Sequence, residues 1–209
     1  MKTMSGKTIE RLSIYRRLLR EIADCGTTKV YSHDLAEKAG VTAAQVRRNL
    51  MEIGFSGNTK KGYDIEELIE AIGNFMDSPE GDPIALVGLG NLGRALLPFF
   101  VAHHPKLKIV ATFDNDPSKT GRVIHGCRCY PFEMLEEVIA REGIRVAILT
   151  VPSPVAQKVA ENLVAAGVTG ILNFAPAMLR LPETVSIESM DMAIALEKIA
   201  YLARQKKES

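Results

Sequence analysis

The chain has 209 residues, room for one large domain or two small ones, each with a real core. With 46% hydrophobic and 24% charged residues it reads as an ordinary globular protein. No apolar run approaches the roughly 20 residues that span a bilayer, which argues against a membrane protein and for a cytoplasmic one. The net charge of +1 hides an asymmetry: residues 1–62 hold 12 Lys+Arg and 6 Asp+Glu (12 − 6 = +6), leaving 14 and 19 for residues 63–209 (14 − 19 = −5). A basic first third on an acidic remainder suggests that only the first third meets a polyanion.

The first third reads as short helices. Ile9, Leu12, Ile14, Tyr15, Leu18, Leu19 and Ile22 recur at helical spacing until Cys25-Gly26-Thr27-Thr28. Ser32 is a candidate N-cap for a helix through Ala39 that stops at Gly40, and Thr42 caps another from Ala43 to Ile53, closed by Gly54. Two short helices around Ala39-Gly40-Val41-Thr42 form a helix-turn-helix pattern. The Gly-rich basic stretch Phe55 to Tyr63 suits a two-stranded wing. A further helix, Ile65 to Met76, runs into Asp77-Ser78-Pro79-Glu80-Gly81-Asp82-Pro83, the best domain boundary in the chain.

Beyond that boundary strands and helices alternate. Strands are predicted at Ile84–Val87, Lys108–Phe113, Val146–Val151 and Gly170–Asn173, and helices at Leu92–Val101, Glu133–Glu142 and Pro154–Ala166. Alternation of this kind gives a parallel sheet with helices on both faces. A last amphipathic helix follows Ser189, with Met192, Ile194, Leu196, Ile199 and Leu202 on one stripe. The expected fold is α/β: a winged helix-turn-helix domain over residues 1–80, a Rossmann-like doubly wound sheet over 81–188, and a C-terminal helix over 189–209.

The sharpest motif is Gly88-Leu89-Gly90-Asn91-Leu92-Gly93, directly after one apolar run, with Asp114 closing the next run 21 residues beyond the last glycine. One glycine allows the strand-to-helix turn, one admits a pyrophosphate to the backbone, and one lets helix and strand pack closely. A helix N-terminus favours the anion, and a carboxylate at the end of the second strand accepts from ribose hydroxyls. Asp114 therefore favours NAD over NADP, whose 2′-phosphate would face a like charge. Thr150-Val151-Pro152 and Asn173-Phe174-Ala175-Pro176 close two further strands, where small residues and exposed amides suit a flat nicotinamide ring and Phe174 can stack. The bland alternative for both is a pair of turn-forming proline motifs.

On the candidate recognition helix, Gln45 and Asn49 can read adenine and Arg47 and Arg48 can read guanine or hold phosphate; Lys60 and Lys61 in the wing add phosphate or minor-groove contacts, and Ser32 and Thr42 complete the candidate DNA-binding set. The bland alternative is a solvated basic face. No catalytic constellation stands out: His33 lies in the basic part, His103 and His104 lie far from the phosphate loop, and His125 alone remains as a general base. Only about 35 residues follow the dinucleotide fold, too few for a substrate lobe. A nucleotide sensor fits better than an enzyme. Cys25, Cys127 and Cys129 make no disulfide framework, and Cys127-Arg128-Cys129 is more simply filler on an extended segment than a redox pair.

Ala43-Ala44-Gln45-Val46-Arg47-Arg48, Gly62-Tyr63, Val87 through Gly93, Phe113-Asp114-Asn115-Asp116-Pro117 and Leu172-Asn173-Phe174-Ala175-Pro176 follow one another in an order and spacing that resemble the Rex family of redox-sensing transcriptional repressors. The resemblance implies a homodimer that binds palindromic operator double-stranded DNA with NAD bound or at low NADH/NAD ratio and releases it when NADH binds. It also implies a C-terminal helix swapped between partners. Arg17 and Asp191 match family positions that couple nicotinamide state to DNA affinity, and a third such position, Tyr in the family, is Phe99 here. Asn49 stands where the family usually has Asp, and Thr59-Lys60-Lys61 where it has Arg followed by Gly. Two alternatives stay open: an NAD-dependent oxidoreductase with a basic dimerisation domain, and a CoA-binding module, against which Asp114 argues.

Overall fold

The computed structural model of the chain describes residues 4–56 and 61–205. It divides into two compact units, one ending at Pro79 and one starting at Glu80.

In the first unit, α1 (Gly6–Asp24) starts at Ser5, whose hydroxyl accepts from the Thr8 N–H. Leu12, Tyr15 and Leu19 lie three or four residues apart, so they share one buried stripe. That stripe meets Leu35 of α2 (Ser32–Ala39), Val46 and Leu50 of α3 (Ala43–Glu52), and Ile65, Leu68 and Ile72 of α4 (Ile65–Met76) in a single core. Each such fully buried side chain contributes about 1.5–3 kcal/mol. Arg16 on α1 donates to both carboxylate oxygens of Asp77, at 2.7 Å each, and ties the start of the bundle to the end of α4.

Two details depart from the sequence reading. The cap of α2 is Tyr31, whose N–H donates to Asp34 Oδ2 at 3.2 Å, while Ser32 is buried inside the first turn. The strand expected near Tyr63 also finds its partner elsewhere. β1 (Lys29–Val30), ahead of α2, pairs antiparallel with β2 (Tyr63–Asp64), and Phe55 packs half-buried on Tyr63. Gly62 has φ +75°, and a Cβ there would sit 3.2 Å from the Val30 carbonyl oxygen, so this return to the sheet requires glycine.

The second unit is a seven-stranded sheet. Its strands are β3 (Asp82–Val87), β4 (Leu107–Asp114), β5 (Val123–Ile124), β6 (Cys127–Pro131), β7 (Val146–Leu149), β8 (Gly170–Asn173) and β9 (Ser186–Ser189), in the spatial order β5-β6-β4-β3-β7-β8-β9. All pairings are parallel except β5 with β6. Successive side chains of β3 take opposite faces: Ala85 and Val87 join the core with α6 (Leu135–Glu142) and α7 (Ser153–Ala165), and Ile84 and Leu86 join the core with α5 (Asn91–His103). β5, β6 and β9 are not announced by the sequence. Two are edge strands with little apolar alternation to report them, and β6 carries Arg128 between its two cysteines.

Cys127 and Cys129 are buried on the α5 face, and burial pushes the Cys127 thiol up to about 11, so both act as small core residues. His125 sits with Gly126 in the two-residue turn between β5 and β6, both at positive φ, a geometry suited to a hairpin. α8 (Met192–Gln205) is exposed along its whole length. Among the described residues no helix is long and apolar enough to cross a membrane.

Candidate functional site

The strand order reverses at β3, whose neighbours β4 and β7 leave for opposite edges, and a crevice opens at their carboxyl ends. It is a cleft of about 710 Å³ lined by Gly88, Gly90, Asn91, Leu92, Asp114, Asn115, Lys119, Phe132, Thr150, Val151, Pro152 and a stripe of α7 that includes Val155 and Lys158.

The three glycines of the loop differ in what a side chain would meet. Gly88 has φ +97° and a Cβ there would lie 2.7 Å from the Thr150 carbonyl oxygen. At Gly93 a Cβ would run into the Gly88 carbonyl oxygen. At Gly90 it would meet nothing within 4 Å. Gly88 and Gly93 are thus required by the chain itself, whereas the space over Gly90 belongs to whatever fills the cleft. That is a cradle open to a phosphate at the start of α5, and it fits a dinucleotide.

Asp114, at the end of β4, is tied to this loop. Its Oδ2 accepts from the Leu89 N–H at 2.7 Å and from Lys119 Nζ at 3.0 Å, and its Oδ1 accepts from the Asp116 N–H at 2.9 Å. Burial works against ionisation here, but the Asp116 and Leu89 amides and the Lys119 ammonium outweigh it and hold the carboxyl below its ordinary range. Leu89 itself is buried and offers only backbone. Thr150 Oγ1 donates towards the Val87 and Gly88 carbonyls, at 3.1 and 2.7 Å, fixing the β7 loop to the glycine loop.

The second loop does not behave as expected. Residues 173–176 are absent from the cleft lining, and the described amides are spent internally: Phe174 N–H donates to Leu149 O and Ala175 N–H to Asn173 Oδ1. Asn173 is fully buried and also donates to Ala177 O at 3.0 Å, while Phe174 packs against the α5-side core. Pro176 is exposed, and its carbonyl accepts from Ser153 Oγ. The expectation of free amides and a stacking Phe174 is corrected, because the bend after β8 uses these groups to hold its own shape. Residues missed by the sequence reading are Lys119 and the α7 stripe with Phe132. Lys119 follows a turn with no motif of its own, and the stripe reads as plain helix.

On the basic unit, Gly40 ends α2 at φ +65° and Thr42 caps α3 by accepting from the Gln45 N–H at 3.2 Å. Arg48 is exposed and pairs with Glu52 at 3.4 Å. Arg47 donates to Ser32 Oγ at 3.0 Å, which makes Ser32 a support for that guanidinium. Gln45, part-exposed, donates to Asn49 Oδ1 at 3.3 Å.

Asn49 itself is 1% exposed, accepts from the Tyr15 hydroxyl at 3.2 Å, and leaves its own Nδ2 without a partner among the described residues. The reading of Asn49 as a base-contacting residue is therefore corrected: it lies on the inner face of α3, between Val46 and Leu50, and braces Gln45 from behind. Lys61 is exposed; Lys60 lies outside the described residues.

Of the remaining residues singled out, Arg17 is an exposed α1 side chain 4.0 Å from Glu21. Asp191 accepts from the Ala193 and Ile194 N–H groups and caps α8. Phe99 lies edge-on to Phe100 on α5.

Residues 3–50 match a family model described as "Putative DNA-binding protein N-terminus", and residues 80–177 match one described as "CoA binding domain". The redox-sensing transcriptional repressor Rex 2 of Enterococcus faecalis is 38% identical over 200 residues, covering 96% of this chain and 93% of its own. RSP, a Rex-family repressor, has been solved with β-NADH, at TM-score 0.85 and 30% identity over 99% of this chain and 97% of its own. A second RSP structure, with β-NAD+ and operator DNA, gives TM-score 0.89 at the same identity, covering 99% of this chain and 95% of its own.

Proposed function

The chain belongs to the Rex family of redox-sensing transcriptional repressors, and from that premise we propose that α3 docks on operator DNA and that NADH, entering the glycine-loop cleft, releases it. What carries this is the combination in one chain of an open cradle at Gly90 beside Asp114 with a basic helix that presents Gln45, Arg47 and Arg48. Residues 1–80 form the DNA-binding part, 81–188 the NAD(H)-binding part and 189–209 the helix exchanged with a second copy. Gln45, Arg47 and Arg48 contact operator bases and phosphates, with Thr42 and Lys61 on the backbone. Gly88, Gly90, Asn91 and Leu92 hold the pyrophosphate, Asp114 the ribose, and Thr150 to Pro152 border the nicotinamide.

The protein acts as a regulator in the cytoplasm and not as an enzyme. His125, the one general base that the sequence offered, is built into the β5–β6 turn and does not line the cleft. The apolar stripe of α8, where Met192, Ile194, Leu196, Ile199, Tyr201 and Leu202 are 47% to 68% exposed, supports a homodimer that covers it. NADH and NAD differ by a hydride and one charge on the ring, so coupling requires that the two arrangements of the dimer bind NADH unequally. Arg17, Phe99 and Asp191 are the proposed levers.

Selection from a pool of genomic fragments, with and without NADH, tests the reading. Fragments retained without NADH and released by it are expected, and retention that no dinucleotide alters would overturn the sensing role. Side-by-side titration with NADH, NAD, NADP and CoA separates it from the CoA module. Steady-state absorbance at the nicotinamide band separates it from the oxidoreductase. In gel shifts, Asp191→Ala is expected to retain dinucleotide binding but to lose release by NADH.

A further inference from the structure

Asp114 is not a bare carboxylate waiting for a ribose. About four lone-pair directions are available on a carboxylate, and three are occupied by this chain's own donors: the Leu89 N–H, the Asp116 N–H and Lys119 Nζ. The lysine is built into place. Asp116 Oδ1 accepts from the Ser118 N–H and its carbonyl from the Lys119 and Thr120 N–H groups, so the chain turns sharply after β4. Gly121 N–H then donates to Cys129 O and Cys129 N–H to Arg122 O, which pins the far side of the turn to β6. Between these two fixings Lys119 folds back, 23% exposed, onto Asp114 at 3.0 Å and towards Asp116 at 3.6 Å.

This changes the charge that a ligand meets. Of the described residues lining the cleft, one is a carboxylate, Asp114, and two are ammonium groups, Lys119 and Lys158. The rule that an Asp at this point repels a 2′-phosphate presumes an uncompensated carboxylate. Here the compensating cation lies directly on Asp114 Oδ2, and an ammonium has three donors, so it can turn from Asp114 to a phosphate.

Building on the dinucleotide reading, we propose that Lys119 is a specificity-determining residue of the cleft. Its ammonium offsets Asp114 and gives a 2′-phosphorylated dinucleotide a cation at the ribose corner, so that discrimination against NADPH is set by the Asp114–Lys119 pair and not by Asp114 alone. Lys158 carries the same charge on the same cleft but lies near Glu161, at 4.0 Å, and not on Asp114.

Calorimetric titration of the full chain with NADH and with NADPH provides the test, read as the ratio of the two Kd values in each protein. Lys119→Met is expected to raise the NADPH/NADH ratio about tenfold, the size expected for one partly screened charge pair near a surface. Lys119→Arg is expected to keep the wild-type ratio and Lys158→Met to change it by less than Lys119→Met does. A ratio is insensitive to general loosening of the site, which weakens both ligands together. Equal ratios in the wild type and Lys119→Met, including equal failure of both to bind NADPH while they bind NADH, overturn the proposal and leave the dinucleotide reading standing. A wild-type chain that binds neither ligand overturns both.

Discussion

Both units place a short glycine-bearing turn in front of a helix that carries functional groups, but they use it differently. At Gly88 to Gly93 the backbone shapes the cleft: a positive φ, a close approach to the Gly88 carbonyl and an open space over Gly90 are set by main-chain geometry, and the Asp114 and Thr150 side chains are hydrogen-bonded to that main chain. At Gly40 to Thr42 the chain only starts α3, and the proposed contact residues are side chains divided between two faces. Asn49 faces in, Arg48 faces out, and Gln45 and Arg47 stand at the boundary, held by Asn49 and Ser32. A site made from backbone tolerates no local change, whereas a site on a helix face fails or survives residue by residue.

Substitution in the glycine loop makes the widest separation. Gly93→Ala forces a methyl group into the Gly88 carbonyl and is expected to cost about 2–4 kcal/mol of stability and to abolish dinucleotide binding. Gly90→Ala, with open space at its Cβ, is expected to keep the wild-type Tm and weaken NADH binding alone. Thermal unfolding and calorimetry on the pair decide it, and equal Tm losses would break the distinction between the two glycines.

On the helix the same contrast is expected between neighbours. Asn49→Ala removes the acceptor for buried Tyr15 and for Gln45, at about 1–3 kcal/mol, seen as a lower urea midpoint. Arg48→Ala, exposed and in a surface ion pair, is expected to change stability by less than about 0.5 kcal/mol while weakening operator binding and lowering its salt dependence. Gel shifts at two ionic strengths provide the second measurement. An Arg48→Ala chain that unfolds early but binds DNA normally would reverse the assignment.

Asp114 ties the two kinds of site together, since it is a side chain that serves a backbone loop. Its folded pKa lies below the ordinary one, so its contribution is present at neutral pH and is lost as pH falls through the folded value. Asp114→Asn is therefore expected to lower stability at pH 7 by about 1 kcal/mol, the net scale of one hydrogen bond, with the difference from wild type closing only below the usual carboxylate range. Urea melts at several pH values measure it. The smallest effect is expected at the cysteines: at pH 8 a thiol reagent should label exposed Cys25 in the native protein and reach Cys127 and Cys129 only on unfolding.

How much of this was legible in the sequence follows from the same contrast. The glycine spacing and Asp114 marked the cleft directly, because the chain's own sterics demand glycine at Gly88 and Gly93, and Asp114 ends the next strand. Helix periodicity placed α3 and its basic residues but not the fate of Asn49, since a polar residue on the buried stripe looks like any other polar residue until Tyr15, 34 positions away, is brought against it. Phe174 and Ala175 were misread for a related reason: their amides are free in a list of residues and occupied once Leu149 and the Asn173 side chain lie beside them.

The sequence by itself determined the two-part α/β architecture, the glycine loop with Asp114 at the end of the next strand, and the basic helix-turn-helix, because periodicity, glycine spacing and charge act within a few residues of chain. Only the tertiary structure decided which polar groups are left to meet a ligand. Hydrogen bonding is a competition among partners that the fold brings together, and it gave Asn49 to Tyr15, the second-loop amides to their own bend, and Asp114 to Lys119.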